Sequence, residues 1–435
     1  MKMPNRFEDS DIDLHEDIAD AGRCGTGYPN LRHVRLLEAA VRERSLTRAA
    51  ETVHISQPAA SQALARLNAQ FGGPLLERQG NGVVPTPRGE VVVARAARAL
   101  GYIREAAQRI ARRCRSEGSS TPDLLETHAT ISHLRAASLV AHTGSFSAAA
   151  RALGQSEPSV HRAAREIEGI LGVTLFDEAY RRLQTTPAGR TLATAASLVL
   201  KELDNAFEEV REFEGDYAGR IVIGTLPLVR SRIVPQAVVE IARRHPRARI
   251  RILDGSYEAL AQGVVVGSID MIVGALRQEL EHEDLTQKRL FDDSLSIVAR
   301  AGHPLAGTTT LTDADLVRYP WVLPRRATPS RAVFEALASR FPREAPQAGF
   351  VETGSLVALR GILTQSDFLT IVSPRQIWYE LRAGQLCVLP IDLGDTRRPI
   401  GLTLRADWRP TALQADFLAA LDHAVGDLSP GAGGN

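Results

Sequence analysis

Cysteine is scarce in this chain: Cys24, Cys114 and Cys387 stand far apart without partner spacing, so neither a disulfide framework nor a zinc site is indicated. Long apolar runs are missing as well. Nothing approaches the roughly eighteen apolar residues of a membrane span, and the acidic stretch Met1 to Leu14 has no apolar core of the kind a secretory leader needs. These absences point to a reducing cytoplasm and no membrane partner. Lysine is nearly absent, the basic residues being almost all arginine, a bias that genome composition explains as readily as phosphate gripping. No Gly-x-Ser-x-Gly elbow, P-loop, His-Glu-x-x-His pair or Gly-x-Gly-x-x-Gly fingerprint occurs. Glu281-His282-Glu283-Asp284 reads as a solvated charged run rather than a metal cluster. We therefore expect no catalytic residue, no metal, no cofactor and no enzyme.

What is present is ordinary globular composition, 435 residues with 44% apolar and 24% charged, enough for roughly two to four domains. The net charge of +1 hides an uneven layout. Leu31 to Ser120 carries an excess of about eight positive charges, whereas Thr121 to Arg220 has about four more acids than bases.

The chain also contains one segment twice, one hundred residues apart. Ser45-Leu46-Thr47-Arg48-Ala49-Ala50 returns as Ser145-Phe146-Ser147-Ala148-Ala149-Ala150, Ser56-Gln57-Pro58 as Ser156-Glu157-Pro158, and Thr86-Pro87-Arg88-Gly89 as Thr186-Pro187-Ala188-Gly189. A repeat of fixed period is one structural unit used twice. In the first copy, Leu31, Val34, Leu37 and Val41 recur at helical spacing, a short helix follows with Thr47 as its expected cap, and Ser56 caps a third helix with Pro58 in its first turn. Ala63, Leu64, Leu67 and Phe71 turn inward, which leaves Ser56, Gln57, Pro58, Ala59, Ser61, Gln62 and Arg66 on a polar face free to enter a major groove. Gly72-Gly73 ends that helix and Val83 to Pro87 reads as the return strand of a hairpin wing.

The second copy keeps the scaffold but presents Ser156, Glu157, Pro158, Ser159, His161, Arg162 and Arg165, with Arg181 and Arg182 on its wing within reach of phosphate. If both copies read DNA, they prefer different base sequences. The alternative is a second copy that serves as a dimerisation or spacer module. After each wing an apolar stripe follows: Val92, Ala96, Ala99, Ile103, Ala106, Ile110, and then Leu192, Ala196, Val199, Leu203, Ala206, Val210, Phe213. Steps of four and three make a coiled-coil seam, with Arg95, Arg98, Arg109 and Arg112, or Lys201, Glu202, Glu208 and Glu209, on the outer faces.

Past Gly219, apolar runs alternate with helical segments. Arg220 to Gly224, Arg249 to Leu253 and Ile269 to Gly274 read as buried strands, Trp321 to Leu323 and Leu369 to Val372 as strands of a second unit, and Pro399 to Leu404 with the helix Thr411 to Val425 as a return to the first. Ligands in open α/β sheets sit beyond the carboxyl ends of the strands. That places a cleft at Thr225, Leu226, Pro227 and Leu228, at Gly274 to Arg277, at Arg325, Arg326 and Thr328, and at Ser373-Pro374, with Thr353, Gly354 and Ser355 at a helix N-terminus suited to an anion. Arg230, Arg232, Arg277, Arg325, Arg326 and Arg331 are candidate partners for a carboxylate.

The segment Ser45 to Gly89, with Ile55-Ser56-Gln57-Pro58-Ala59-x-Ser61, Gly72 to Arg78 and Thr86-Pro87-x-Gly89, resembles the LysR-type transcriptional regulators. The resemblance implies a multidomain fold: two α-rich winged helix-turn-helix heads with long linker helices, then an α/β two-lobed effector domain like the periplasmic binding proteins (type 2). It departs from the family in its second head, since members normally have one, and at Glu157 and His161, where Gln and Ser are usual.

The expected layout is a disordered acidic tail at 1–30, heads at 31–90 and 131–190, linker helices at 91–116 and 191–215 joined by a linker at 117–130, and an effector domain at 218–428. Its lobe I is 218–298 with 397–428 and its lobe II is 299–396. The last eight residues are expected to fray. Family members pair two chains through antiparallel linker helices. Here about fifteen residues spanning up to about 45 Å suffice to let one chain pair its own two helices.

The implied function is ligand-responsive control of transcription, with promoter DNA and a small-molecule effector as partners, RNA polymerase as a further candidate, and a homo-oligomer, dimer or tetramer, as the assembly. Gly224-Thr225-Leu226-Pro227 and Gly274-Ala275-Leu276-Arg277 are similar to the regulators of galactose-binding proteins and of protocatechuate catabolism, which leaves a sugar and an aromatic-derived acid open as effectors. The family favours activation of targets with repression of its own gene. The other reading of the whole chain is a scaffold or antagonist with one degenerate head that heterodimerises with single-headed relatives through its coiled-coil helices and blocks them.

Overall fold

The computed structural model describes residues 27–113, 123–179, 182–326, 328–342 and 349–427. Asn30 caps helix α1 (Leu31–Glu43), accepting from Arg32 N at 2.8 Å, and Arg44 ends it in the left-handed region at φ 51°. Helix α2 (Leu46–Thr52) is capped by Ser45 and not by Thr47: the Ser45 backbone is still extended at φ −158° and its hydroxyl accepts from Arg48 N at 3.3 Å, while Thr47 is already helical. Ala49 and Ala50 are almost wholly buried, and their small size lets helix α3 (Gln57–Gln70) close on α1. Strands β1 (Leu76–Gln79) and β2 (Gly82–Pro85) form the expected wing.

The repeated Thr-Pro-x-Gly joins each wing to the long helix that follows. Thr86 Oγ1 donates to Pro74 O at 2.7 Å and accepts from Gly89 N at 3.0 Å, and a Cβ on Gly89 would lie 1.8 Å from Leu75 O. In the second copy Thr186 does the same with Thr174 O and Gly189 N, and a Cβ on Gly189 would lie 2.3 Å from Leu175 O. Helix α4 (Pro87–Arg113) therefore begins before residue 91, since proline suits a first turn.

The segment expected as a linker is partly folded. Helix α5 (Asp123–His128) buries Leu125 against α4, and Arg104 pairs with Glu126 at 2.9 Å. The second unit follows as α6 (Ile131–Thr143), α7 (Phe146–Leu153), α8 (Glu157–Leu171), β3 (Phe176–Ala179), β4 (Arg182–Thr185) and the long α9 (Pro187–Phe213). Tyr28 and Pro29, placed in the tail by composition, belong to the fold: Tyr28 packs on the core and donates to Asp204 Oδ2 at 3.1 Å. The rest of the expected tail, 1–26, and the expected fraying end, 428–435, lie outside the described residues.

Helices α4 and α9 run antiparallel within the one chain. Arg88 pairs with Glu214, Val92 shares a core cluster with Ala206 and Val210, and Arg98 Nε meets Glu202 Oε1 at 2.9 Å, so the partner number falls as the α4 number rises. The apolar stripes are buried, but the α9 seam ends at Val210, opposite the start of α4, and Phe213 beyond it is 60% exposed. The outer faces are solvated only in part, with Arg109 and Arg112 exposed. Arg95 is fully buried, because the effector domain covers that face.

The effector half has two lobes. Lobe I is a five-stranded sheet in the order β6-β5-β7-β14-β8, from β5 (Arg220–Thr225), β6 (Arg249–Asp254), β7 (Met271–Ala275), β8 (Leu285–Asp293) and β14 (Arg398–Arg405). β5 is parallel to β6 and β7, and β14 is antiparallel to β7 and β8. Helices α10 (Ile233–Arg244) and α16 (Ala412–Gly426) cover one face and α11 (Tyr257–Val265) the other. Lobe II has a sheet β12-β9-β13, from β9 (Ser296–Arg300), β12 (Thr370–Val372) and β13 (Leu386–Val388), a parallel pair, β10 (Trp321–Leu323) with β11 (Phe350–Glu352), and helices α12 (Asp313–Leu316), α13 (Pro329–Ala338), α14 (Leu356–Gln365) and α15 (Trp378–Arg382). Because β9 pairs with β12 and β13, the chain enters lobe II at Ser296, before the expected residue 299.

Candidate nucleic-acid interface and ligand cleft

Helix α3 divides as its sequence pattern requires. Ser56 accepts from Ala59 N at 3.4 Å as N-cap, Ala60, Ala63 and Leu67 are buried, and Ser56, Gln57, Pro58, Ala59, Ser61, Gln62 and Arg66 are all exposed. The turn before it is held by His54 in the left-handed region at φ 55°, which allows Ile55 N to donate to Ala50 O at 2.9 Å. The result is a capped helix projecting a polar, acid-free face, the shape a major groove admits.

In α8, Ser156 is again the N-cap, accepting from Ser159 N at 3.4 Å, and Gly154 takes the left-handed turn. Ser156, Glu157, Pro158, Ser159 and Arg162 are exposed. His161 is only half-exposed, its ring lying on Phe146 at 4.9 Å, the bulkier residue that replaces Leu46. Arg165 is tied to Glu168 at 2.8 Å, and Glu168 also accepts from Leu175 N and Phe176 N, the task Asn68 performs for Leu75 N in the first copy. Arg181 lies outside the described residues, as does the side chain of Arg182.

Between the heads and lobe I lies a charged seam that pattern reading missed, since its partners are distant in sequence. Arg95 donates to Glu202 Oε2 at 2.9 Å, to Glu209 Oε1 at 2.6 Å and to Arg409 O at 2.9 Å. Tyr102 donates to Asp407 Oδ2 at 2.7 Å. Further along α9, Lys201 pairs with the buried Asp270 at 2.8 Å, and Glu212 accepts from Ala412 N and Leu413 N at the start of α16. Desolvation here pushes the Asp204 carboxyl up to about 6 and that of Glu208 up to about 7, against the opposing pull of Lys201.

In the effector half, the expected cleft residues separate into two groups. Thr225 is fully buried, its hydroxyl donating to Leu253 O and accepting from Arg230 Nε at 3.1 Å, while Leu226 is held against Gly274 so closely that a Cβ there would lie 2.5 Å away. Ser373 is also fully buried and donates to Asp293 Oδ1 at 2.6 Å. Asp293 in turn pairs with Arg398 at 3.0 Å and Arg375 at 3.4 Å, which ties together the two strands crossing between lobes. Ser373 thus lies buried at the crossover between the lobes. Pro227, Arg326, Gly354 and Ser355 are exposed and Arg277, Thr328 and Thr353 half-exposed at strand or helix ends.

Of the six candidate arginines, three are engaged within the protein: Arg230 with Thr225 and Asp254, Arg331 with Glu335 and Glu352, and Arg232 over Trp378 at 4.4 Å. Arg277 lies over the Tyr257 ring at 4.2 Å, and the Arg325 side chain lies against Gly354. Neither these two nor Arg326 forms an ion pair among the described residues. A groove of about 680 Å³ lined by Pro235, Val239, Arg243, Tyr379 and His423 lies elsewhere, on α10 and α16. Among the described residues, no group of three or more His, Cys, Asp or Glu side chains is placed to hold a metal, and no helix is long and apolar enough to cross a membrane.

Comparison with known proteins adds the following. The family profile described as bacterial regulatory helix-turn-helix protein, lysR family, matches residues 31–90 and again 131–190, and that described as LysR substrate binding domain matches 214–425. The HTH-type transcriptional regulator GalR of Pseudomonas putida is 33% identical over 404 residues, 91% of this chain and 98% of that protein, a match long enough to reach into both winged units. The HTH-type transcriptional regulator PcaQ of Agrobacterium fabrum is 29% identical over 301 residues, 69% of this chain and 96% of that one. Full-length OxyR from Pseudomonas aeruginosa shares the fold at a TM-score of 0.50 and 20% identity, covering 68% of this chain and 95% of that one.

Proposed function

The chain belongs to the LysR family and is a ligand-responsive DNA-binding transcriptional regulator rather than an enzyme, and we propose that it reads one promoter site with both of its own heads. The observation that carries this is the antiparallel pairing of α4 with α9 inside one chain. Both seams are buried against each other, which leaves neither open to a single-headed relative and disfavours the antagonist reading. The heads are at opposite ends of that pair, α3 reaching α9 through Phe71 stacked on Phe207 at 4.4 Å. Arginine contacts to phosphate supply salt-dependent affinity, and the exposed positions of α3 and α8 supply base choice.

The test is a footprint on the DNA upstream of its own gene. Ser61→Ala with Gln62→Ala is expected to erase one half of the protected region and Ser159→Ala with Arg162→Ala the other. If the second pair leaves the footprint intact, the second head is a spacer.

The effector half acts as a clamp of the periplasmic-binding-protein type, with the effector between Thr225, Leu226, Pro227 and Arg277 on one side and Arg326, Thr328, Thr353, Gly354 and Ser355 on the other. Among the described residues Arg277, Arg325 and Arg326 have no acidic partner, which favours an anionic metabolite, a sugar acid or an aromatic acid, over a neutral sugar. Calorimetric titration with members of each class decides this. Arg277→Ala is expected to weaken the acid by about ten- to a hundredfold, the worth of one charge-assisted hydrogen bond, and equal binding by the variant would remove Arg277 from the site. Closure of the clamp shifts the balance between two arrangements of the heads, through the seam on lobe I.

A further inference from the structure

We infer that Glu157 is the base-reading residue that distinguishes the second head from the first, and that the operator is therefore not palindromic: one half carries a C·G pair where the other carries A·T. This rests on the reading that both heads bind DNA. The repeat places Gln57 and Glu157 in one position, each the first residue of its recognition helix, directly after a capping serine, and each exposed. Their chemistry differs in a way that the major groove can read. A glutamine carboxamide has one donor and one acceptor and matches adenine N6 and N7. A carboxylate has acceptors only, so it suits the amino group of cytosine N4 and is repelled by the acceptors of guanine and thymine.

The neighbouring side chains sharpen the contrast. Around Gln57 the exposed face holds Ala59, Ser61, Gln62 and Arg66 and no acid. Around Glu157 it holds Ser159 and Arg162, while His161 sits half-buried on Phe146, the exposed Arg165 is paired with Glu168, and Glu166, at the position of Arg66, is exposed and paired with His133. Glu157 itself forms no hydrogen bond or ion pair with the described residues, so its carboxylate is free to meet a base. Arg162, with two parallel donors, suits guanine O6 and N7. Glu157 and Arg162, both exposed on the N-terminal half of α8, thus select a G·C-containing half-site, and Gln57 with Gln62 an A·T-containing one.

The experiment is selection from a DNA pool randomised in both halves of the footprinted site, using the full chain, Glu157→Gln and Gln57→Glu, with thermal melting to confirm that each variant folds. Wild type is expected to enrich C at one position of the second half and A at the corresponding position of the first. Glu157→Gln is expected to change that C to A with about a tenfold change in preference, and Gln57→Glu to do the reverse in the first half. If Glu157→Gln strengthens binding to every sequence alike, the carboxylate faces phosphate and the inference fails while the two-headed reading stands. If the second half shows no enrichment and no protection, both fail together.

Discussion

Replacing Arg95 by methionine removes the residue that joins three parts of the molecule. Its guanidinium is completely buried and serves Glu202 at 2.9 Å, Glu209 at 2.6 Å and the Arg409 carbonyl at 2.9 Å, where both carboxylates are themselves largely covered. Without it, Glu209 is left without its cation and Glu202 retains only Arg98, which is partly exposed. Breaking a buried ion pair from one side costs about 3–5 kcal/mol, since the remaining charge is desolvated without compensation. For a cooperative unit of the size of the heads and long helices, each kcal/mol lowers the midpoint by about 2–4 °C, so thermal melting followed by circular dichroism should show a fall of roughly 10 °C. The sign test is the neutral triple variant Arg95→Met, Glu202→Gln, Glu209→Gln, which leaves no buried charge unpaired and should recover part of the loss. A single variant that melts within about 2 °C of wild type, or a triple variant less stable than the single, would refute the reasoning.

Three further outcomes are expected. Val92→Cys with Val210→Cys, in a background without the native cysteines, should crosslink within one chain and migrate as a monomer on a denaturing gel at every protein concentration, because both residues share one core cluster; a dimer band alone would place the helix pairing between chains. Gly89→Ala should cost about 1–3 kcal/mol or more in denaturant melts, since its Cβ would fall 1.8 Å from Leu75 O, and a neutral result would mean that the wing is free to shift. The Glu208 carboxyl, raised by desolvation from 4.5 to about 7 beside Lys201, Asp204, Arg220 and Asp270, favours the folded state below about pH 4.5 and loses that contribution as pH rises through about 7. Melting curves across this window should therefore flatten in Glu208→Gln relative to wild type, and parallel curves would show that Glu208 is not held in its raised state.

Local signals carried much of the architecture. The hundred-residue repeat, the capping serines Ser56 and Ser156, and the apolar stripes of α4 and α9 are visible because caps and helical periodicity depend on residues within a turn or two of each other. Ser45 was missed as the cap of α2 because two hydroxyl residues stand two apart and only the backbone angle chooses between them. That His161 lies half-buried was not legible, because it depends on Phe146, in another helix.

The sequence by itself determined that there are two helix-turn-helix units, which faces of α3 and α8 carry polar residues, and that an α/β half follows, since each of these is written in short-range patterns of size, polarity and turn chemistry. Only the tertiary structure decided that the two long helices pair within one chain, that Arg95 and Asp270 are buried in ion pairs rather than solvated, that Tyr28 belongs to the fold, and that Ser373 is buried against Asp293 at the crossover between lobes. The physical reason is that a charge's partner and a side chain's exposure are properties of surfaces brought together from distant segments, and no local pattern in the chain records which surfaces will meet.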